Sequence, residues 1–278
     1  ESAYGPTLAF DGPDVLLLTS TALHRMAPGR PETRQALKLG LHRVLASSSI
    51  VFWSEGFFWT FPLRAAATEQ ARKLCDAPVE PQFLAASGER IGWVERSEGG
   101  AFLVRTFDGT RARTLSTHQG SLVGLTLIGD RAYLTEVSRG GTWRLGSVSL
   151  DGGPPTFHTV SSGRPPSMLA SARDIFFYDG SNRRVRRVSP DFISDEVVLE
   201  RVVCSPLAVS SRVVCGQVGG VFEIPLNAPT LLPLSTEASG PVAAIAVNDT
   251  HVAWLNDSGE NRLTLRVLTL PALPAASL

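Results

Sequence analysis

The chain has 278 residues, enough for a sizeable core in one domain or two, and 26 Lys+Arg balance 26 Asp+Glu to a formal net charge of +0. That balance excludes a global field drawing the chain to nucleic acid or anionic lipid. No apolar run reaches the roughly 18–20 residues that span a bilayer, the first residues read neither as a basic nor an apolar leader segment, and no CxxC pair suggests structural zinc. The expectation is either a cytosolic protein or one whose leader lies upstream.

The 25 Gly and 19 Pro are spread as punctuation, which favours many short strands and tight turns. Helical periodicity is nearly absent, "ETRQALKLGLHRVL" being the best window; other apolar runs are short and rich in Val, Leu, Phe and Trp, as strands are. In chain order, Leu8-Ala9 opens a unit whose second strand follows a polar corner at Val15-x-Leu17. Leu45-Ala46 with Ile50-x-Phe52, Leu84-Ala85 with Ile91-x-Trp93, and Leu125-Thr126 with Ala132-x-Leu134 repeat it. So do Leu169-Ala170 with Ile175-x-Phe177, Leu207-Ala208 with Val213-x-Cys215, and Ile245-Ala246 with Val252-x-Trp254. The anchors recur every 37–44 residues.

Third strands end in turn signals, as in "VRTFDGT" (104–110) and "GSVSLDGG" (146–153), where Asp-Gly suits a hairpin returning a fourth strand. Four antiparallel strands in about 40 residues make one propeller blade. The expected fold is therefore all-β, a single seven-bladed propeller with blades near 7–40, 41–78, 79–118, 119–162, 163–201, 202–238 and 239–278. A β-sandwich is the rival, but sandwiches do not repeat one four-strand unit at even spacing. The tail "PALPAASL" (271–278) is the favoured seventh outer strand, residues 1–6 being the alternative latch.

"GTWRLGSVSLDGG" followed by "SGRPPSMLASARDIFFYDG", and "SGPVAAIAVNDTHVAWLND", resemble the YWTD/TolB-like propeller repeats of secreted and periplasmic bacterial proteins. "IFFY" (175–178) and "VAWL" (252–255) stand where that family has its aromatic tetrad, without its Thr-Asp. The resemblance implies an extracytoplasmic binding or scaffolding module, sometimes lipid-tethered upstream or joined to a sensor kinase. Such a motif specifies a fold and names no ligand.

Propeller ligands sit on the face built by the loops between strands two and three and between blades. There the expected partner-binding residues are His42, Arg43, Trp53, Glu55, Phe57, Arg96, Glu98, His118, Arg139, Arg183, Arg201 and Asp257. Their mixed charge suits a protein or peptide better than a phosphate polymer. No acid stands at the inner-strand starts, so no metal or other cofactor is expected, and neither HExxH nor GxSxG occurs. No catalytic residue is assigned: the chain is expected to be a non-enzymatic partner-binding propeller, with a propeller hydrolase or lactonase, or a membrane-anchored sensor domain, as alternatives. The arginines of "NRRVRRVSPD" (182–191) read as a solvated strand offset by Asp179, Asp191, Asp195 and Glu196. Cys204 and Cys215 are a disulfide candidate: with a two-residue corner at Ser210-Ser211 they stand one diagonal step apart on one face, and a one-residue shift brings them opposite; a buried thiol at Cys215 is the alternative, and Cys75 should be free.

Overall fold

The computed structural model describes all residues except 1–5, 38, 40, 41, 47, 65–69, 139–140, 163–167, 171–173, 227–229, 237–239, 258–262 and 273–278. Among the described residues it is all strand. The first sheet runs β1 (Thr7–Asp11), β2 (Asp14–Leu18), β3 (Ala22–Met26) and β4 (Thr33–Ala36), and the second β5 (Arg43–Leu45), β6 (Ser49–Ser54), β7 (Phe57–Pro62) and β8 (Arg72–Asp76). The third is β9 (Phe83–Ser87), β10 (Arg90–Arg96), β11 (Phe102–Phe107) and β12 (Ala112–His118); the fourth β13 (Ser121–Ile128), β14 (Arg131–Val137), β15 (Thr142–Ser149) and β16 (Thr156–Ser162). The fifth is β17 (Met168–Ala170), β18 (Ile175–Asp179), β19 (Arg184–Val188) and β20 (Asp195–Glu200), and the sixth β21 (Leu207–Val209), β22 (Val213–Gln217), β23 (Gly220–Ile224) and β24 (Leu232–Ser235). Three described strands make the seventh: β25 (Val242–Val247), β26 (His251–Asp257) and β27 (Leu263–Thr269). This is a seven-bladed β-propeller. The expected closing strand at 271–278 and its alternative at 1–6 fall almost wholly outside the described residues.

Each sequence anchor lies in or at the end of the first strand of its sheet. The best helical window instead holds β4 and β5, each paired within its own sheet, Val44 opposite Val51 in the second. Two compact units are distinguished. The first takes in the described residues of Thr19–Ala22 and Gln35–Ala172; the second those of Pro6–Leu18, Leu23–Arg34 and Arg173–Leu278.

Within the first unit β9 lies beside β5 on one flank and β13 on the other. The fully buried indole of Trp93 fills the space between blades two and three, 4.9 Å from the Phe58 ring at 61°. Burying one such side chain stabilises by roughly 1.5–3 kcal/mol. Gly92, next to it, lets β10 approach blade four: a Cβ there would meet Leu127 Cδ2 at 3.0 Å. In the second unit β25 lies between β21 and β1, so the first sheet packs on the last through Leu8, Val15, Ala246 and Leu255.

One irregularity recurs. Where the third strand pairs with the fourth, one extra residue is inserted in five sheets: Leu74, Leu115, Val160, Val198 and Leu234. A bulge of this kind bends the strand and reverses which face later side chains point to.

The sixth sheet departs from the expected register. Val209 pairs with Val213 and Leu207 with Cys215, so the corner holds three residues rather than two. The extra residue is Arg212, whose buried guanidinium is held by Glu223 Oε1 and Oε2 at 3.0 and 2.9 Å and by the Pro271 carbonyl. Cys204 and Cys215 are joined in a disulfide with Cα atoms 5.4 Å apart; Cys75 is free.

Candidate functional site

Two residues after the anchor on each second strand stands a polar side chain: Thr19, Ser54, Glu95, Glu136, Asp179, Gln217 and Asn256. Four are buried, with Glu95 4%, Glu136 5%, Asp179 1% and Asn256 0% exposed. A buried carboxylate is tolerated only when charge-paired and hydrogen-bonded, and each has found partners of its own. Where the anchor is Trp, its indole serves: Trp93 Nε1 donates to Glu95 Oε2 at 2.8 Å and Trp254 Nε1 to Asn256 Oδ1 at 2.7 Å. Arg105 Nη1 completes Glu95 at 2.9 Å. Where the anchor is Phe177, Asp179 instead accepts from Asn182 Nδ2 at 2.7 Å.

Where the anchor is Leu134, the donors come from the neighbouring strands. Glu136 Oε2 accepts from Arg144 Nη2 at 3.0 Å and lies 3.1 Å from His118 Nδ1. The other imidazole nitrogen, Nε2, lies 2.8 Å from Ser116 Oγ. The tautomer that satisfies both contacts has Nδ1 donating to the carboxylate and Nε2 accepting from the serine hydroxyl. Phe157 stands edge-on to His118 at 6.0 Å and under the Arg144 guanidinium at 3.7 Å, so the imidazole is walled on its remaining side. Gly120 leaves room for the carboxylate: a Cβ would run into Glu136 Oε1 and sit 2.9 Å from the Val137 carbonyl. Ser116 and His118, two apart on β12, share one face of that strand, and Ser116 is half-buried. The bulge at Leu115 sets that face.

Blade two carries a simpler pair. His42 is buried, with Nε2 3.0 Å from Glu80 Oε1 and its ring edge-on to Trp53 at 6.4 Å; the Trp53 indole donates to the Ala77 carbonyl at 2.8 Å.

The residues expected on a partner face divide. Glu55, Arg96, Glu98, Arg183, Arg201 and Asp257 are exposed; Arg96 lies 5.8 Å from the Phe102 ring and its Nε 3.5 Å from the Gly100 carbonyl. Arg43, Trp53 and Phe57 are half-buried; burial lowers the Arg43 guanidinium pKa, and the Lys73 ammonium covers the Phe57 ring at 3.7 Å. His42 and His118 lie beneath the surface in hydrogen-bonded pairs. Arg139 lies outside the described residues. Of the arginine run, Arg184 pairs with Glu200 at 3.3 Å, Arg186 with Asp195, and Arg187 with Asp174 at 2.8 Å and Glu196 at 3.2 Å. Asp179 and Asp191 do not join in: they hold Asn182 and Ser189. Ser116, Glu95 and Glu136 are not among the residues the sequence singles out. A Ser-x-His spacing on a strand was visible, but its partner Glu136, in the next blade, was not. Among the described residues no three His, Cys, Asp or Glu side chains gather as a metal site, and no helix is long and apolar enough to cross a membrane.

No family model matches the chain, and no curated protein is detectably similar. Solved structures are. An oligogalacturonate lyase from Vibrio parahaemolyticus superimposes with TM-score 0.70 at 11% identity, covering 98% of this chain and 90% of that one. A puromycin-hydrolysing peptidase from Mycobacterium tuberculosis does so with TM-score 0.66 at 13% identity over 98% of this chain, which spans 53% of the peptidase. The β-propeller domain of the Trilobed protease from Pyrococcus furiosus gives TM-score 0.66 at 11% identity, with 95% and 97% covered. At these identities the likeness carries the fold. The expectation of a non-enzymatic chain is nevertheless corrected: this same propeller, along nearly all of its length, is that of a lyase and of part of a hydrolytic peptidase.

Proposed function

We propose that the chain is a propeller of the hydrolytic kind, acting outside the cytoplasm on a peptide or protein segment received at the loop face of blades two to four. The observation that carries this reading is the pair of buried carboxyl groups, Glu95 and Glu136, ending the second strands of blades three and four, with buried His118 against the latter. Glu95 stands next to the exposed Arg96. Buried charge is costly to a fold and concentrates where chemistry needs it. The rim above carries both signs of charge, which suits a polypeptide with its own mixed charges. The shared fold of a lyase and a hydrolytic peptidase supports an activity of this broad class. The Cys204–Cys215 disulfide and the YWTD/TolB-like repeats support an oxidising, extracytoplasmic setting.

The test is turnover of a peptide and ester library by the purified chain, with Arg96→Ala and Glu98→Ala assayed beside it. Turnover with KM raised severalfold in the two variants is the expected result. Absence of turnover across the library, or variants indistinguishable from the parent, overturns the reading.

A further inference from the structure

We infer that Ser116 is an acyl-accepting nucleophile, with His118 its general base and Glu136 the residue that positions the base. This rests on the hydrolytic reading above and gives it a site. The observation is the unbroken order Ser116 Oγ, His118 Nε2, His118 Nδ1 and Glu136 Oε2, with contacts of 2.8 and 3.1 Å at its two ends. A serine is a weak nucleophile until a base takes its proton, and a base works when a third group holds it in the right tautomer. Both requirements are met. Arg144, 42% exposed, holds the Glu136 carboxyl group at 3.0 Å; Glu136 in turn accepts from Nδ1, and Nε2 faces the hydroxyl. The base is buried and the nucleophile half-buried, so the serine is the more accessible of the two, as an acyl-transfer site needs.

The step balances without any co-reactant but water. Ser116 Oγ bonds to the acyl carbon of an ester or amide while its proton passes to His118 Nε2. Collapse of the tetrahedral adduct breaks the bond to the leaving group, which departs as alcohol or amine with that proton. Water then gives a proton to Nε2 and adds to the acyl-serine. Collapse returns the proton to Ser116 and frees the carboxylic acid.

A fluorophosphonate probe, which reacts with activated serines, tests this on the whole chain without any substrate, the adduct being mapped by mass spectrometry. One adduct is expected, on Ser116, abolished by Ser116→Ala and kept by Thr114→Ala, a change at an exposed position of the same strand. His118→Gln should slow labelling by about 10²–10⁴-fold. Glu136→Gln should lower the maximal labelling rate without changing the probe concentration for half-saturation, and Glu136→Asp should restore part of that rate. Far-UV circular dichroism checks that each variant is folded; if His118→Gln is not, Ser116→Ala alone decides. No adduct, an adduct elsewhere, or labelling that survives Ser116→Ala overturns the assignment. The two readings fail separately. Peptide turnover unaffected by Ser116→Ala sinks this site and spares the hydrolytic function; a labelled Ser116 without turnover of any peptide or ester does the reverse.

Discussion

Trp93 and Trp254 make the same local bond to acceptors of different charge, and that difference is measurable. Both indoles are buried and both donate two residues onward along their own strand, to Glu95 Oε2 at 2.8 Å and Asn256 Oδ1 at 2.7 Å. Replacing each by Phe removes the same ring atoms and the same donor. What differs is the group left behind. A hydrogen bond to a charged acceptor contributes about 1.5–3 kcal/mol, and a neutral one about 0.5–1.5 kcal/mol. Trp93→Phe should therefore destabilise more than Trp254→Phe, by about 1 kcal/mol beyond the shared cost of the truncated ring. Because Arg105 still holds Glu95 at 2.9 Å, the carboxylate stays paired and the excess should not greatly exceed that figure. Urea unfolding followed by far-UV circular dichroism, with equal m-values as a check, gives the two changes. If Trp254→Phe costs as much as Trp93→Phe, the charge of the buried acceptor is not what the indole at Trp93 stabilises.

Breaking the Cys204–Cys215 bond, by reduction or by Cys204→Ser with Cys215→Ala, should cost about 3 kcal/mol for a closed loop of sequence separation 11, read from urea midpoints. Gly216→Ala would bring a Cβ to 2.9 Å from Val242 Cβ and 3.0 Å from Pro206 Cδ, so blade seven must shift; about 1–3 kcal/mol of destabilisation is expected in the same assay. The Cys75 thiol is pushed up to about 11 by burial, with Asp76 adding to it, so alkylation by iodoacetamide should be slow at neutral pH and accelerate until the pH approaches that value. The Asp108 carboxyl is held below its ordinary value, first by the Thr110 hydroxyl and then by the amides of Arg111 and Thr110. A value depressed in the folded chain means the contribution is complete above the unfolded value and is lost as pH falls through the folded one. Thr110→Ala should move the Asp108 titration upward in a carboxyl-detected NMR experiment.

The strand repeat was legible because it is written in apolar residues: Leu45, Leu84 and Ile245 announce first strands, and Phe52, Trp93 and Trp254 second ones. Patterning of this kind survives whatever the neighbours are. Registers were less legible. The corner before β22 looked like Ser210-Ser211 alone, because nothing local shows that Arg212 turns inward to reach Glu223. The candidate site was hidden for a similar reason. Exposed charges such as Arg96 and Glu98 stand out in a loop, whereas His118 and Glu136 meet only once two blades are side by side. The bulge at Leu115, which decides where Ser116 and His118 point, has no signature in single residues, since Leu74, Val160 and Leu234 read as ordinary apolar strand positions.

The inserted residue of the fourth strands also bears on how copies of this chain tolerate one another. Each such strand is the last of its sheet among the described residues, and the outer edge of a sheet is the usual template on which a second sheet grows. A straight edge would let strands from two molecules dock and extend. In five of the blades the edge is interrupted and twisted out of line, so docking strands meet too few partners in succession. Removing Leu115 or Leu234 from the chain would straighten such an edge, and self-association at high concentration is where that loss would first be felt.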